Sequence, residues 1–332
     1  MDGKVVLGLS DGVDSAVAAA LLRQYGYDVT GVYLDISDEK GRDDAMRSAR
    51  ETGIRAVVMD VDGKMEEHVR APFASEYALG RTPNPCIGCN PMVKFAVLME
   101  YADEIGAEYI ASGHYVRKEN GHLYMGKSDC DQSYMLQRLR REQAARLILP
   151  LGGYDKTQVR AMAESFGITA ATKPDSRENC FIRTGNYIEW LEARGNMPGE
   201  GAVLYKGREI GRHGGIHRFT VGQRWPEMMD GRRLYVGRLD PQRNTAELVL
   251  WEDLFRTEFD IRDISMLESG FGDKFRAAVR VRHTRWETPE CTVFRCGDTA
   301  HIVTDTPVRA PCPGQACALY SGKMLLGGGY IS

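Results

Sequence analysis

The first hundred or so residues alternate between strand-like and helix-like patterns, and this alternation restricts the fold more than any other feature of the 332-residue chain. Short apolar runs rich in β-branched residues predict four strands, at Lys4–Leu9, Val29–Ile36, Ala56–Val61 and Glu108–Ser112. Helical periodicity predicts helices between them, at Val13–Leu22, Asp43–Thr52 and Phe95–Ile105. Repeated strand–helix–strand units with short connections predict an α/β fold with a doubly wound parallel sheet, whose ligand chemistry lies at the carboxyl ends of the strands.

The pattern changes after about residue 198, where Pro198 and Gly199 begin a loop. Short segments punctuated by glycine follow, and alternating apolar segments dominate from Phe255 onward. We therefore expect an α/β domain over residues 1–197 and a small central β-rich domain over residues 198–254. A C-terminal antiparallel β-barrel should occupy residues 255–332.

Composition narrows the class of protein. With 43 Lys and Arg against 46 Asp and Glu, the net charge is −3, and 43% of the residues are hydrophobic. These values exclude disorder over most of the chain and argue against a protein that coats nucleic acid indiscriminately. No run approaches the ~20 apolar residues that a membrane span needs, and the N-terminus lacks a signal-peptide layout. The sequence predicts a cytoplasmic protein with no membrane attachment.

Arginine and lysine residues nevertheless gather in three groups, which would together form a basic tract for a nucleic-acid backbone. A solvated surface is the alternative for any single member. The groups are Arg276, Arg280, Arg282 and Arg285; Arg138, Arg140, Arg141 and Arg146; and Lys206, Arg208, Arg212, Arg218, Arg224, Arg232, Arg233, Arg238 and Arg243.

A glycine-containing turn joins the first predicted strand to the first predicted helix. Such a turn presents backbone N–H groups and the positive end of a helix to an anion such as pyrophosphate. Ser10 and Ser15 add hydroxyl donors, and Asp14 is a ligand for Mg²⁺ on the phosphates. The alternative is an ordinary turn capped by Ser10 or Asp11. The residues of the turn are Gly8, Leu9, Ser10, Asp11, Gly12, Val13, Asp14 and Ser15.

The eight cysteines are too sparse for a disulfide scaffold, so redox chemistry, metal binding or burial is expected. Two prolines before Cys86 and Cys89 predict an extended or turn-rich loop that presents a C-x-x-C pair, where a thiolate can act as nucleophile or metal ligand. Cys180 lies beside Arg177, which favours its thiolate. The other five are expected to be buried; they are Cys130, Cys291, Cys296, Cys312 and Cys317.

The turn SDGVDS resembles the SGGxDS loop of the PP-loop ATP pyrophosphatases, which split ATP into AMP and pyrophosphate to adenylate an oxygen. Asp11 stands where that family has a second glycine. A carboxylate at this place repels phosphate unless it turns away or shares Mg²⁺.

Further motifs resemble the tRNA-specific 2-thiouridylases, PP-loop enzymes that place sulfur at C2 of the wobble uridine of tRNA. The resemblance extends over nearly the whole chain, with the motifs in the family's order. They are TPNPCIGCN (82–90), ASGHY (111–115), DQSYML (131–136), DS…CFI (175–182), GIHRFTVGQR (215–224), LYVGRLDP (234–241), PGQ (313–315) and GGG (327–329).

The resemblance implies a role for particular residues. Gly8 to Ser15 would bind ATP and Mg²⁺, with Leu34 and Gly113 lining the nucleotide site. Cys89 matches the family's nucleophile and Cys180 its persulfide carrier, loaded by a separate sulfur donor. The positions facing the target base are Asn84, Pro85 and Cys86. Those contacting tRNA are His114, Asp131, Gln132, Arg282, His283 and Gln315.

Two chemical schemes follow from the resemblance. In the first, a persulfide on Cys180 attacks the adenylated C2 or releases sulfide that does so, and Cys89 resolves the persulfide to leave a Cys89–Cys180 disulfide. In the second, Cys86, Cys89 and Cys180 ligate a [4Fe–4S] cluster whose fourth iron carries sulfide. Many family members have Asp at the position of Cys86. Cys86 would then be no cluster ligand and would only replace that Asp near the target base.

Two other functions compete with thiolation. An adenylating ligase acting on a small acid would not need Cys89 or Cys180. A tRNA-binding relative that has lost ATP turnover through Asp11 would bind tRNA without releasing AMP. Because the chain retains both cysteines, the sequence favours the sulfurtransferase.

Overall fold

The computed structural model describes residues 3–36, 38–127, 129–172, 179–229, 231–282 and 288–332. Within these ranges the chain forms two compact units. The first contains the described residues of 3–69, 86–172 and 323–325, and the second those of 70–85, 179–322 and 326–332.

The strands of the described residues alternate with helices in the first unit and follow one another directly in most of the second. They are β1 (Lys4–Leu9), β2 (Asp28–Asp35), β3 (Arg55–Asp60), β4 (Tyr109–Ala111), β5 (Val116–Glu119), β6 (His122–Met125), β7 (Leu147–Ile148), β8 (Gly201–Tyr205), β9 (Arg208–His213), β10 (Arg224–Met229), β11 (Arg232–Asp240), β12 (Thr245–Val249), β13 (Phe255–Met266), β14 (Lys274–Arg280), β15 (Glu290–Cys296), β16 (Thr299–Arg309), β17 (Ala316–Ser321) and β18 (Met324–Ile331).

Most α-helices of the described residues lie in the first two thirds of the chain. They are α1 (Val13–Gln24), α2 (Glu39–Thr52), α3 (Asp62–Met65), α4 (Ala71–Ala78), α5 (Pro85–Cys89), α6 (Phe95–Glu104), α7 (Arg141–Arg146), α8 (Lys156–Ser165) and α9 (Tyr187–Ala193). Two π-helical stretches, Glu66–Arg70 and Asn90–Lys94, continue α3 and α5.

A five-stranded parallel sheet in the order β3-β2-β1-β4-β7 organises the first unit, which confirms the predicted doubly wound sheet. Its central strand β1 is almost entirely buried, as expected for a strand covered on both faces. Helix α1 covers it through small and branched apolar residues that allow close approach, such as Ala16 and Val17. Helix α2 begins at Asp38, whose carboxylate accepts a hydrogen bond from Gly41 N, and ends at Gly53 in the left-handed conformation.

The second unit is dominated by β-structure. One sheet has the order β10-β11-β12-β8-β9, with a parallel pairing between β12 and β8. Six strands form a closed barrel in the order β13-β16-β15-β14-β17-β18, which β13 closes by pairing with both β16 and β18. The predicted C-terminal antiparallel barrel is therefore confirmed.

The cysteines of the barrel region follow the predicted burial with one exception. Cys291, Cys312 and Cys317 are completely buried, and burial raises the pKa of each thiol. Cys296 is exposed, so its predicted burial is wrong. It is the last residue of β15, where the strand reaches the turn at Gly297 and leaves the barrel interior.

Among the described residues, the structure contains no helix that is both long and apolar enough to cross a bilayer.

Candidate active site

The turn between β1 and α1 is held in shape by two serine hydroxyls. Ser10 Oγ lies 2.9 Å from Ser15 Oγ and accepts a hydrogen bond of 3.2 Å from Gly12 N. The backbone N–H of Ser10 donates to Ser15 Oγ at 3.0 Å. Gly12, the residue that precedes α1, provides no side-chain cap for the helix. The first N–H groups of α1 lie at this helix end, which is a site that suits a phosphate.

Gly113 approaches this turn from the neighbouring strand. Because β1 and β4 are adjacent and parallel, Ser10 and the residues after Ala111 lie at the same edge of the sheet. A Cβ atom on Gly113 would lie 2.9 Å from the Asp14 carbonyl carbon and 3.0 Å from Ser15 N. Only glycine fits so close to the first turn of α1. The predicted nucleotide-lining residue Gly113 thus lies against the turn that the sequence predicts to bind phosphate.

Gly8 and Leu34, the other two predicted nucleotide-lining positions, lie within strands. A Cβ on Gly8 would come 3.2 Å from Leu98 Cδ1, so glycine at the end of β1 gives α6 room to pack. Leu34 is the penultimate residue of β2, the strand beside β1, and is half-buried. The structure therefore places both toward the carboxyl end of the sheet.

Asp14, the predicted Mg²⁺ ligand, has two partners that sequence reasoning missed. Lys156 Nζ lies 2.8 Å from both carboxylate oxygens of Asp14, and the Tyr115 hydroxyl donates to Oδ1 at 2.6 Å. Lys156 also lies over the Tyr115 ring, 5.7 Å from its centroid. Asp14 and Lys156 are 142 positions apart, so no local pattern could reveal the pair.

The two cysteines of the C-x-x-C pair lie on a helix rather than on the predicted loop. The irregular segment ends at Asn84, Pro85 occupies the first helical position, and Cys86 and Cys89 follow within α5. Proline suits this position because it has no N–H to satisfy. The spacing of three residues puts both thiols on one side of the helix. Cys89 is half-buried and Cys86 is exposed.

Helix α5 packs closely against the segment after β3. Cys89 Sγ lies 4.0 Å from Met65 Sδ, and a Cβ on Gly88 would contact the His68 carbonyl oxygen at 3.4 Å. The two adjoining π-helical stretches widen each helix by one residue per turn, a distortion that often occurs at functional sites. The surroundings of Cys89 are therefore apolar on the side of Met65.

Asn90 and Lys94 define the polar side of this helix. Asn90 is buried and donates from Nδ2 to the Met135 carbonyl at 3.0 Å, while its Oδ1 has no hydrogen-bond partner. Although the residue as a whole is exposed, neighbouring atoms crowd the Cys86 thiol, so desolvation raises its pKa, and the positive charge of Lys94 partly offsets that rise. Burial also lowers the pKa of His114 well below its ordinary value, and Lys94 acts in the same direction. His114 is consequently neutral at physiological pH.

The predicted tRNA contacts of the first unit all take part in shaping the loop after β4. His114 Nδ1 lies 2.8 Å from Ser112 Oγ. Gln132 Oε1 accepts from Tyr115 N at 3.0 Å, and Gln132 N donates to Tyr115 O at 3.2 Å. Asp131 accepts from Gly126 N and from both the N–H and the hydroxyl of Ser133. Gln132 therefore holds the backbone of Tyr115, whose hydroxyl contacts Asp14.

Cys180 lies in the second unit, immediately before an aromatic cluster. The next residue, Phe181, is buried and stacks edge-on against Phe73 and Trp190, with ring centroids 5.3 and 5.0 Å away. This anchor leaves the side chain of Cys180 exposed in the turn before it. The Asp175-Ser176-Arg177-Glu178 part of the motif lies outside the described residues.

Gln315 and Arg282 bond to backbone carbonyls of the second unit. Gln315 Nε2 donates to the Thr82 carbonyl at 2.7 Å, which positions the segment leading to half-buried Asn84. Arg282 Nη2 donates to the carbonyls of Val221 and Ala310 at 2.7 and 2.8 Å. His283, the last predicted tRNA contact, lies outside the described residues.

Several members of the three predicted basic groups are ion-paired, which reduces the charge they present. Arg276 lies 2.9 Å from Asp305, Arg146 lies 2.6 Å from Asp103, and Arg212 lies 2.8 Å from Glu200.

Within the described part of the chain, no group of three or more His, Cys, Asp or Glu side chains is arranged to hold a metal ion.

Comparisons with known proteins agree with this arrangement. Three family models match in succession: a tRNA methyl transferase HUP domain at residues 3–184, a tRNA methyl transferase PRC-barrel domain at 191–249 and an aminomethyltransferase β-barrel domain at 256–331. The fold and the phosphate turn therefore define a HUP-domain protein with two appended β-modules.

Full-length relatives narrow the class further. The chain is 37% identical to a tRNA-specific 2-thiouridylase MnmA of Rickettsia typhi, covering 99% of this chain and 98% of the relative. It is 38% identical to the protein of that name from Pelotomaculum thermopropionicum, over 99% and 97%. The chain belongs to the tRNA-specific 2-thiouridylase family and is a sulfurtransferase. A solved 4-thiouridine synthetase–RNA complex with bound ATP aligns over 58% of this chain and 50% of its own, at 22% identity and a TM-score of 0.37, too slight a likeness to inform function.

The close approach of Gly113 to α1 gives a first prediction. Gly113→Ala places a methyl group against backbone atoms that cannot move aside without distorting the turn, so the free energy of unfolding should fall by about 1–3 kcal/mol. ATP binding should weaken in the same variant. Urea denaturation and calorimetric titration with α,β-methylene-ATP measure the two effects.

Gly153→Ala is the matched control, because Gly153 is exposed and a Cβ there would meet no atom within 4 Å. Equal stability and equal nucleotide affinity for the two variants would contradict the role assigned to Gly113.

Proposed function

We propose that this protein catalyses the ATP-dependent 2-thiolation of the wobble uridine of tRNA. The observation that carries the proposal is a serine-rich turn at the start of α1 and a C-x-x-C helix in one α/β unit, with a further exposed cysteine at position 180. Membership of the 2-thiouridylase family supports the choice of substrate.

Adenylation is the first step of the proposed reaction. The C2 oxygen of uracil is a poor leaving group, so attack of that oxygen on the α-phosphorus of ATP, with loss of pyrophosphate, activates C2. The hydroxyls of Ser10 and Ser15 and the first N–H groups of α1 would hold the pyrophosphate. Bound Mg²⁺ would neutralise charge on the departing group, and Asp14 is the carboxylate of the turn that would hold it. Gly113 keeps the backbone close enough for the turn to close around the phosphates.

Sulfur transfer is the second step. A separate sulfur donor loads Cys180 as a persulfide, whose terminal sulfur attacks C2 and expels AMP. The Cys89 thiolate then attacks the Cys180 sulfur and breaks the S–S bond, so the transferred sulfur leaves with both bonding electrons as 2-thiouridine. The two cysteines are oxidised to a disulfide, and an external dithiol must reduce it before the next turnover.

The residues that would face tRNA are divided between the two units. We propose that Asn84, Pro85 and Cys86 contact the target base, because the base must leave its stack to reach the thiols. His114, Asp131 and Gln132 would act from the first unit, and Arg282, His283 and Gln315 from the second. Since several of these side chains already bond to backbone groups, they would position the tRNA-contacting segments as well as contact RNA.

The [4Fe–4S] route is the alternative within the same reaction. It would use Cys86, Cys89 and Cys180 as ligands and leave the fourth iron to carry sulfide. The placement of Cys86 on the same side of α5 as Cys89 supports this alternative.

The family models also support the predicted division of the chain. The α/β catalytic domain would comprise residues 1–197, the small central domain 198–254 and the C-terminal barrel 255–332. The first and third matched segments, 3–184 and 256–331, lie within these limits, whereas the middle one, 191–249, begins before residue 198.

Loss of either reacting thiol should abolish thiolation. We expect Cys180→Ser and Cys89→Ser to form no 2-thiouridine above background, because serine carries no sulfur and cannot resolve a persulfide. Nucleoside mass spectrometry of tRNA after incubation with ATP, a persulfide donor and a dithiol measures the product. Binding of tRNA should be unchanged.

Cys296→Ser is the matched control, since Cys296 is exposed but lies at the end of β15. This variant should retain full activity. Residual thiolation by Cys180→Ser would refute the persulfide assignment. Absence of thiolation by the parent protein, together with adenylation of a small acid that both cysteine variants retain, would favour the small-acid ligase.

Iron content distinguishes the two sulfur-transfer schemes. Protein purified without oxygen should be active with a persulfide donor while containing no stoichiometric iron. Iron near cluster stoichiometry that disappears in Cys86→Ser, together with loss of activity, would establish the cluster route instead.

A further inference from the structure

Lys156 and Tyr115 form an ion-pair and hydrogen-bond network with Asp14 inside the phosphate turn. The Lys156 and Asp14 side chains are 20% and 30% exposed, so the pair is only partly screened by water. Both carboxylate oxygens of Asp14 lie 2.8 Å from Lys156 Nζ, and one also accepts from the Tyr115 hydroxyl. The carboxylate that the turn offers to a cation is thus already bound to a lysine.

The position of Lys156 in its own helix does not explain this arrangement. Asp155 caps α8 by accepting from Gln158 N at 2.8 Å, and the Gln158 side chain returns a bond to Asp155 N at 3.0 Å. This capping box makes Lys156 the first helical residue. A positive charge there is repelled by the helix dipole, so it contributes nothing favourable to α8 itself. Its stabilising partner must lie outside the helix.

The charges of the turn indicate a second, negatively charged partner for Lys156 besides Asp14. Asp11 and Asp14 place two carboxylates in the segment that would receive pyrophosphate, and phosphate–carboxylate repulsion opposes binding. Lys156 is held at the same turn through Asp14 Oδ1 and Oδ2. A lysine ammonium group has three donors on a flexible side chain, so it can exchange one oxygen acceptor for another that lies a short distance away.

We propose that Lys156 is a phosphate-binding residue that moves from the Asp14 carboxylate to the pyrophosphate part of ATP, while Tyr115 keeps Asp14 oriented to receive Mg²⁺. This inference rests on the proposed function, because it requires that the turn binds ATP. The exchange offsets the repulsion from Asp11 and couples entry of the nucleotide to release of the carboxylate. Without nucleotide, the Asp14–Lys156 pair preserves the turn.

Binding measurements on the full chain test the proposal without relying on thiolation. Lys156→Met should weaken binding of α,β-methylene-ATP and of inorganic pyrophosphate, each with Mg²⁺, by about tenfold or more, as expected for loss of a charge-assisted hydrogen bond. Adenosine affinity should stay within error of the parent protein, and the melting temperature should fall by a few degrees at most, as expected for loss of one partly exposed ion pair. Lys156→Arg should retain most of the affinity, because the charge is kept.

Lys64→Met is the control for removal of a surface ion pair, since Lys64 bonds Glu100 at 2.7 Å in the same unit. Its pyrophosphate affinity should be unchanged. Equal weakening in Lys64→Met and Lys156→Met would overturn the proposal, as would a change of less than twofold in Lys156→Met.

A double-variant cycle separates phosphate contact from mere support of Asp14. If Lys156 acts only by holding Asp14, adding Lys156→Met to Asp14→Asn should cause no further loss of pyrophosphate affinity, and that result would overturn the proposal. A further loss of about tenfold in the double variant supports direct contact. Failure of the parent protein to bind α,β-methylene-ATP would refute the proposed function itself, and the inference with it.

Discussion

Parallel pairing of β1 with β4 is the constraint on which the candidate nucleotide site depends. Because both strands end at one edge of the sheet, the Ser10–Ser15 turn and Gly113 meet there, and the missing side chain of Gly113 lets them approach to near contact. Two residues further on, Tyr115 reaches Asp14. Gln132 in turn fixes the backbone of Tyr115. The turn is therefore shaped by tertiary contacts rather than by its own sequence alone.

The sulfur chemistry places a second demand on the fold. Cys89 belongs to the first unit and Cys180 to the second, and each is held by packing of a different kind. Cys89 lies on a helix against Met65, where a π-helical stretch follows it. Cys180 precedes the buried ring of Phe181, which anchors the turn. An exposed thiol beside a firmly anchored residue suits the role of sulfur carrier that we propose for Cys180.

Much of this arrangement could be predicted from the sequence, because the relevant signals are local. The apolar run at Lys4–Leu9 forms β1 at those limits, and α2 ends at Thr52, the predicted helix end. The helix that carries Cys86 and Cys89 was missed, since two nearby prolines indicate a loop and only the structure shows Pro85 at a first helical position. The Asp14–Lys156 pair was missed because its partners are remote in sequence. The capping box formed by Asp155 and Gln158 places Lys156 at the start of α8, but it does not indicate that Lys156 contacts Asp14.

Following the C2 oxygen of the target uracil through the reaction tests the central claim most directly. A tRNA labelled with ¹⁸O at that position would be incubated with ATP, a persulfide donor and a dithiol, and the products analysed by mass spectrometry. Adenylation of the C2 oxygen predicts one ¹⁸O atom in AMP for each 2-thiouridine formed. Thiolated tRNA accompanied by unlabelled AMP would contradict the account, because the oxygen would then have left C2 without ever being joined to phosphorus.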